Sequence, residues 1–178
     1  KQAIRINPDD ALFHINLGAA YEKSGKNEEA IESYKQAIRI DPDYAEAHNN
    51  LGIAYHESGK YEEAIESFKQ VVKIGPDDAE AHYNLGLAYG ESGKYKDAIE
   101  PNKQAIEIDP DYAEAHNNLG IAYSQLGKHK EAKESYEQAI RINPDYALAH
   151  YNLGSVYGKL GKYEEAIESY KQAIRIDP

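Results

Sequence analysis

AEAHNNLGIAYHESGKYEEAIESFKQVVKIGP, residues 45–76, decides the fold. Ala47, Leu51, Ala54 and Tyr55 recur at helical intervals and make one apolar face. Ser58-Gly59-Lys60 stops that helix with a tight turn. Ala64, Ile65, Phe68, Val71, Val72 and Ile74 then make a second helical face. Gly75-Pro76 closes it, because proline cannot continue a helix and disfavours helical geometry at the preceding residue. The stretch therefore reads as two helices joined back to back.

Working outward, Asn-Leu-Gly begins at Asn16, Asn50, Asn84, Asn118 and Asn152, and every interval is 34 residues. Counting from the alanine before each gives units 11–44, 45–78, 79–112, 113–146 and 147–178. Residues 1–10 match the end of a preceding unit, and the chain reads as cut from something longer. Small residues recur where the helices of a pair must approach: Gly18, Gly52, Gly86, Gly120 and Gly154 in the first helix, and Ala30, Ala64, Ala98, Ala132 and Ala166 in the second. Tyr34, Phe68, Tyr136 and Tyr170 fill the space between them. One hairpin cannot bury both of its apolar faces, so neighbours stack into a nearest-neighbour core. The expected fold is all-α, a single solenoid of stacked antiparallel helix pairs over residues 1–178. Asp43, Asp77 and Asp111, three residues before Glu46, Glu80 and Glu114, read as capping boxes.

The period, the Leu-Gly with a tyrosine after it, the small-residue alanines, the aromatic and the closing proline resemble the tetratricopeptide repeat family along the whole chain. That resemblance implies a right-handed superhelix and a protein-binding role. One departure is regular. The tryptophan common in the family is replaced by His14, His48, His82, His116 and His150.

Composition narrows the partners. A formal charge of −11 disfavours nucleic acid, whose binding depends on basic patches, and disfavours anionic membrane surfaces. No apolar run reaches the roughly 18 residues of a membrane span. No secretory signal opens the chain, and the cytoplasm is the favoured compartment. With no cysteine, disulfides and thiolate chemistry are excluded.

No cofactor, metal site or catalytic constellation is expected. The histidines are 34 residues apart, which puts neighbours about 10 Å apart by helix-packing distances, too far for one ion. They read as packing residues, with His56 and His129 as isolated surface residues. Ser33, Ser67, Ser135 and Ser169 sit at one outer position of the second helix and read as solvated filler. The carboxylates lie beside Lys and Arg on helical faces, with nothing to crowd or bury them in pairs.

The binding residues are sought on the free face of the first helices. Asn16, Asn50, Asn84, Asn118 and Asn152 each precede the core leucine and point away from the second helix. With them go the preceding residue (Asn49, Tyr83, Asn117, Tyr151) and the third one after (Ile53, Leu87, Ile121). In the family this surface resembles the groove where extended peptides lie. An amide both donates to and accepts from a peptide backbone. O-linked N-acetylglucosamine transferases carry a similar asparagine ladder, so a substrate-selecting region of a larger glycosyltransferase is an alternative reading. Repeats that clamp acidic chaperone tails need lysine and arginine here, and this face offers Glu46, Glu80 and Glu114 instead. The expected partner is a protein or peptide segment, neutral or basic, anchored by Tyr83 and Tyr151.

Two features break the pattern. Pro101 interrupts a second helix, at a typical cost of about 3 kcal/mol, and Asn102 replaces the aromatic beside it. The pair reads as a kink or soft joint. The first and last units leave apolar faces uncovered, so end-to-end self-association is also expected.

Overall fold

The structure, a computed structural model, describes residues 10–178. The partial unit at 1–10 lies outside the described residues except for Asp10. Ten α-helices follow in order: α1 (Ala11–Lys23), α2 (Asn27–Ile40), α3 (Ala45–Glu57), α4 (Tyr61–Ile74), α5 (Ala79–Glu91), α6 (Tyr95–Ile108), α7 (Ala113–Gln125), α8 (His129–Ile142), α9 (Ala147–Lys159) and α10 (Tyr163–Ile176). Among the described residues there is no strand. The chain divides into two compact units, Lys1–Pro76 and Asp77–Pro178.

In each unit, consecutive helices pack as pairs: α1 with α2 and α3 with α4 in the first, and α5 with α6, α7 with α8 and α9 with α10 in the second. The second helix of a pair also packs on the next first helix, as α2 does on α3 and α8 on α9. The turn inside a pair depends on glycine. Gly59 has φ of 69° and Gly127 has φ of 73°, in the left-handed region where a Cβ is disfavoured. In several pairs the lysine after the turn glycine then lies over a tyrosine of the first helix, as Lys26 does over Tyr21 at 5.9 Å, Lys128 over Tyr123 at 5.6 Å and Lys162 over Tyr157 at 5.8 Å.

The core is built on ring-against-glycine contacts. A Cβ added at Gly18 would stand 2.4 Å from Tyr34 Cε1, and one at Gly52 would stand 2.6 Å from Phe68 Cε1. The same approach joins Gly120 to Tyr136 and Gly154 to Tyr170. Ala30, Ala64 and Ala132 have no exposed surface, which shows how closely the backbones approach.

Several local expectations need correction. The helix caps sit one residue later than the spacing implies. Tyr44, Tyr112 and Tyr146 occupy the cap positions of α3, α7 and α9 without a side-chain bond, and no capping box forms there. The competing interaction is a local turn: the Asp43 amide donates to Asp41 Oδ1 at 3.2 Å, and the Asp111 amide donates to Asp109 Oδ1 at 3.1 Å. Aspartate caps α1 and α5, through Asp10 and Asp78. The serines are not solvated filler. Ser33, Ser67, Ser135 and Ser169 are buried, and each hydroxyl donates to the carbonyl four residues back, for example Ser33 Oγ to Glu29 O at 2.8 Å. His56 is half-buried and packs edge-on against Tyr61 at 5.5 Å, and His129 is half-buried too.

Helix α6 runs through Pro101 unbroken, with the same 14 residues as α2, α4, α8 and α10. Asn102 is fully buried, and its Nδ2 donates to Ala98 O at 2.8 Å while its Oδ1 finds no partner.

Candidate functional site

The histidine column is held by backbone, not by a ligand. Nε2–H of His48 donates to Pro42 O at 2.9 Å, that of His116 to Pro110 O at 3.1 Å, and that of His150 to Pro144 O at 2.9 Å. Each ring thereby ties its helix to the loop that precedes it. Among the described residues no group of three or more His, Asp and Glu side chains is placed to hold a metal ion.

The first helices of neighbouring pairs touch side by side, α1 with α3 in the first unit and α5 with α7 and α7 with α9 in the second. The asparagine column lies along them. Asn16 on α1 is exposed, while Asn50, Asn84, Asn118 and Asn152 on α3, α5, α7 and α9 are half-buried. Asn49, Tyr83, Ile53, Leu87 and Ile121 are half-buried as well, and Tyr151 is exposed at 56%.

One residue of the expected set leaves the site. Asn117 is 1% exposed and its Oδ1 accepts from Asn152 Nδ2 at 3.1 Å, so it bonds α7 to α9 instead of facing a ligand. The reason is position. A side chain that meets the neighbouring first helix is covered by it, whatever face the sequence pattern assigns.

The tyrosines divide in the same way. Tyr83 packs on Tyr112 with ring centroids 4.9 Å apart. Burial is the main cause that raises the Tyr83 hydroxyl, with help from the Glu114 carboxylate, while the nearby Asn118 amide pulls the other way. Burial pushes Tyr146 up to about 12, with Tyr83 and Glu114 adding to it. The Tyr112 hydroxyl is also raised, mainly by burial and then by the neighbouring Tyr83, Glu80 and Glu114. Tyr83 is thus committed to a cluster with two tyrosines and acidic neighbours. Tyr151 keeps most of its ring open, with Tyr170 at 5.6 Å beside it.

Between α5 and α7 the face deepens into a cavity of about 190 Å³, with Leu87, Asn118 and Ile121 of the expected set in its wall and Glu91 beside them. Asn118 Nδ2 itself has essentially no accessible surface, and the amide faces the Tyr83 hydroxyl. Sequence reasoning missed the cavity. Its signal was Gly90, the position where the other repeats carry Glu22, His56, Ser124 and Gly158. The exposed apolar side chains gather elsewhere, with Leu12, Phe13 and Leu17 on α1 and Tyr163, Ile167 and Ile174 on α10.

A pattern of paired helices, ring-on-glycine contacts and 34-residue spacing defines a helical repeat protein of the solenoid class. Family models described as TPR repeat match residues 1–25, 23–59, 54–93, 90–127 and 122–161, and one described as tetratricopeptide repeat matches 147–178. The chain belongs to the tetratricopeptide repeat family. Among solved structures it is similar to a crystal structure of MamA, at 33% identity over 90% of this chain and 94% of that one, with a TM-score of 0.85. It is also similar to YrrB, described as a TPR protein with an unusual peptide-binding site, at 27% identity over 97% and 89% of the two chains, with a TM-score of 0.79. MamA from Desulfovibrio magneticus RS-1 shares the fold at 23% identity over 96% of each chain, with a TM-score of 0.88. No curated protein matches the chain. Among the described residues no helix is long and apolar enough to cross a membrane.

Proposed function

We propose that this chain is a non-catalytic interaction scaffold, and that it takes an extended peptide segment along the face of its first helices. The observation that carries the reading is the asparagine column, repeated at one position of five successive first helices. The asparagine at this position brings an amide to each first helix, a group that can both donate to and accept from an extended backbone. Tyr151 supplies an exposed aromatic anchor of the kind enriched at binding hot spots. Glu46, Glu80 and Glu114 are exposed, and with the chain's charge of −11 they favour a neutral or basic segment over an acidic one. The description of YrrB as having a peptide-binding site supports the same role. The single continuous array from 1 to 178 is part of this proposal.

The test is a peptide array probed with the chain and with a variant in which Asn50, Asn84 and Asn118 are changed to Ala. Basic and neutral peptides should be bound and should weaken with added salt, and the triple variant should lose them. Unchanged binding by the triple variant would refute the amide column.

A second reading rests on the exposed apolar side chains of α1 and α10, which suit contact with a second copy. Sedimentation at rising concentration tests it. Mass should increase, and a monomer mass at high protein concentration rules it out.

A further inference from the structure

Two tyrosines meet at one step of the array, Tyr83 on α5 and Tyr112 just before α7. The same two repeat positions hold Ile15 and Tyr44, Asn49 and Asp78, and Asn117 and Tyr146 at the other steps. The ring centroids lie 4.9 Å apart with the planes tilted by 30°, and both residues are only half-buried. Glu80 stands three residues before Tyr83 in the first turn of α5, on the same helical face. Glu114 stands two residues after Tyr112 in the first turn of α7. Both carboxylates are exposed, and neither forms an ion pair among the described residues. Burial and then Tyr83 raise the Tyr112 hydroxyl, and the charged side chains that add to them, Glu80, Glu114 and Asp109, are all acidic. The positive ends of α5 and α7 offset about half a charge each. Three carboxylates outweigh them, so the rings sit in an uncompensated negative field.

We propose that the Tyr83–Tyr112 pair seats an arginine side chain of the bound segment, with the guanidinium on the open ring surface and its edge toward Glu80 and Glu114. The proposal rests on the reading of this face as a peptide groove, and adds to it a place and a residue type. A guanidinium stacks on an aromatic ring and still presents the N–H groups in its plane to carboxylates. A lysine ammonium is a more strongly hydrated point charge and gains less from the rings. An acidic side chain is repelled by the same carboxylates. The Asn118 amide faces the Tyr83 hydroxyl and helps to hold the ring of α5 beside α7. Because the other steps of the array lack the ring pair, one arginine sets the register of a segment that the repeated amides accept at any step.

The experiment uses the 178-residue chain and two blocked tripeptides, acetyl-Gly-Arg-Gly-amide and its citrulline counterpart, which keeps the shape and loses the charge. Ring resonances of Tyr83 and Tyr112, assigned through Tyr83→Phe and Tyr112→Phe, report contact by NMR. Both rings should shift with the arginine peptide. It should bind roughly tenfold tighter than the citrulline peptide, the scale of one cation–π contact and one exposed ion pair together. Glu80→Gln combined with Glu114→Gln should remove most of that advantage. Tyr112→Asp, which installs the residue found at 78, separates ring from charge: it should weaken the arginine peptide, whereas attraction by charge alone would tighten it. Tyr83→Asn, the residue found at 49 and 117, should weaken it too and gives the same test should Tyr112→Asp not fold. Rings that stay unmoved, equal binding of the two peptides, or tighter binding by Tyr112→Asp would overturn the proposal. The groove is scored separately with Asn50→Ala and Asn84→Ala together, which leave Asn118 beside Tyr83. If array peptides are lost by that double variant yet held by Tyr83→Asn, the arginine seat fails and the groove stands. If the double variant holds arginine-containing peptides and Tyr83→Asn loses them, the amide column fails and the seat stands.

Discussion

Replacing a helical glycine by alanine should have opposite signs at two positions of this fold. At Gly52 an added Cβ would stand 2.6 Å from Phe68 Cε1 and 2.9 Å from Cδ1 and Cζ. Favourable carbon contacts lie near 3.5–4.0 Å, so the ring must retreat by about 1 Å. Phe68 is 2% exposed and has no room to do so. Overpacking of this kind costs about 1–3 kcal/mol, while alanine regains about 1 kcal/mol of helix propensity. Gly52→Ala should therefore destabilise by about 1 kcal/mol on balance. At Gly90 nothing lies within 4 Å of the new Cβ. Only the propensity gain remains, reduced to about 0.5 kcal/mol because the residue sits in the last turn of α5. Urea unfolding followed by circular dichroism measures both. Hydrogen exchange in α3 and α5 should accompany it, since stacked repeats need not unfold in one step. Adding Phe68→Leu should relieve Gly52→Ala, so that the two changes are less than additive. A stabilising Gly52→Ala or a destabilising Gly90→Ala would refute the packing argument.

The packing leads to three more outcomes. Pro101→Ala restores an amide to α6 and should stabilise by up to about 3 kcal/mol; in the parent, hydrogen exchange over 98–108 should be faster than over 64–74 and 132–142, and equal protection in all three would remove the soft joint. Asn152→Ala strips the one bond of the buried Asn117 amide and should cost about 1–3 kcal/mol. A urea midpoint left unchanged by Asn152→Ala would contradict that role for the bond between α7 and α9. Alkaline stability should follow the buried tyrosines. Their hydroxyls are raised from 10.0 in the folded chain, Tyr146 to about 12, so the protonated form is favoured by folding. That stability is complete below pH 10 and lost as pH rises toward 12. Thermal midpoints should hold to about pH 9 and fall above 10, with tyrosinate absorbance lagging free tyrosine; a flat profile to pH 12 would refute it.

Legibility varied with how local the cause was. The column at 15, 49, 83, 117 and 151 holds Ile, Asn, Tyr, Asn and Tyr at one repeat position, yet the structure buries Ile15 and Asn117, half-buries Asn49 and Tyr83, and exposes Tyr151. A repeat register alone assigns all five the same face. It does not say how deeply the next helix covers each. The cap positions failed for a nearer reason, because the residues at 41, 109 and 143 captured the amides at 43, 111 and 145 in tight turns before the helix began.

What the sequence determined by itself is the repeat: 34-residue spacing, paired helices, the glycine turns and the ring opposite the first-helix glycine in every pair but α5–α6. Those depend on covalent geometry and on contacts that recur from unit to unit, so one reading serves the whole array. What only the tertiary structure decided is which side chains remain available between units. Asn117 is spent on Asn152, Tyr83 is committed to Tyr112, and the missing ring at Asn102 together with the missing side chain at Gly90 leaves a cavity beside Asn118. These depend on pairs of residues far apart in the chain, whose meeting is set by helix packing rather than by either residue alone.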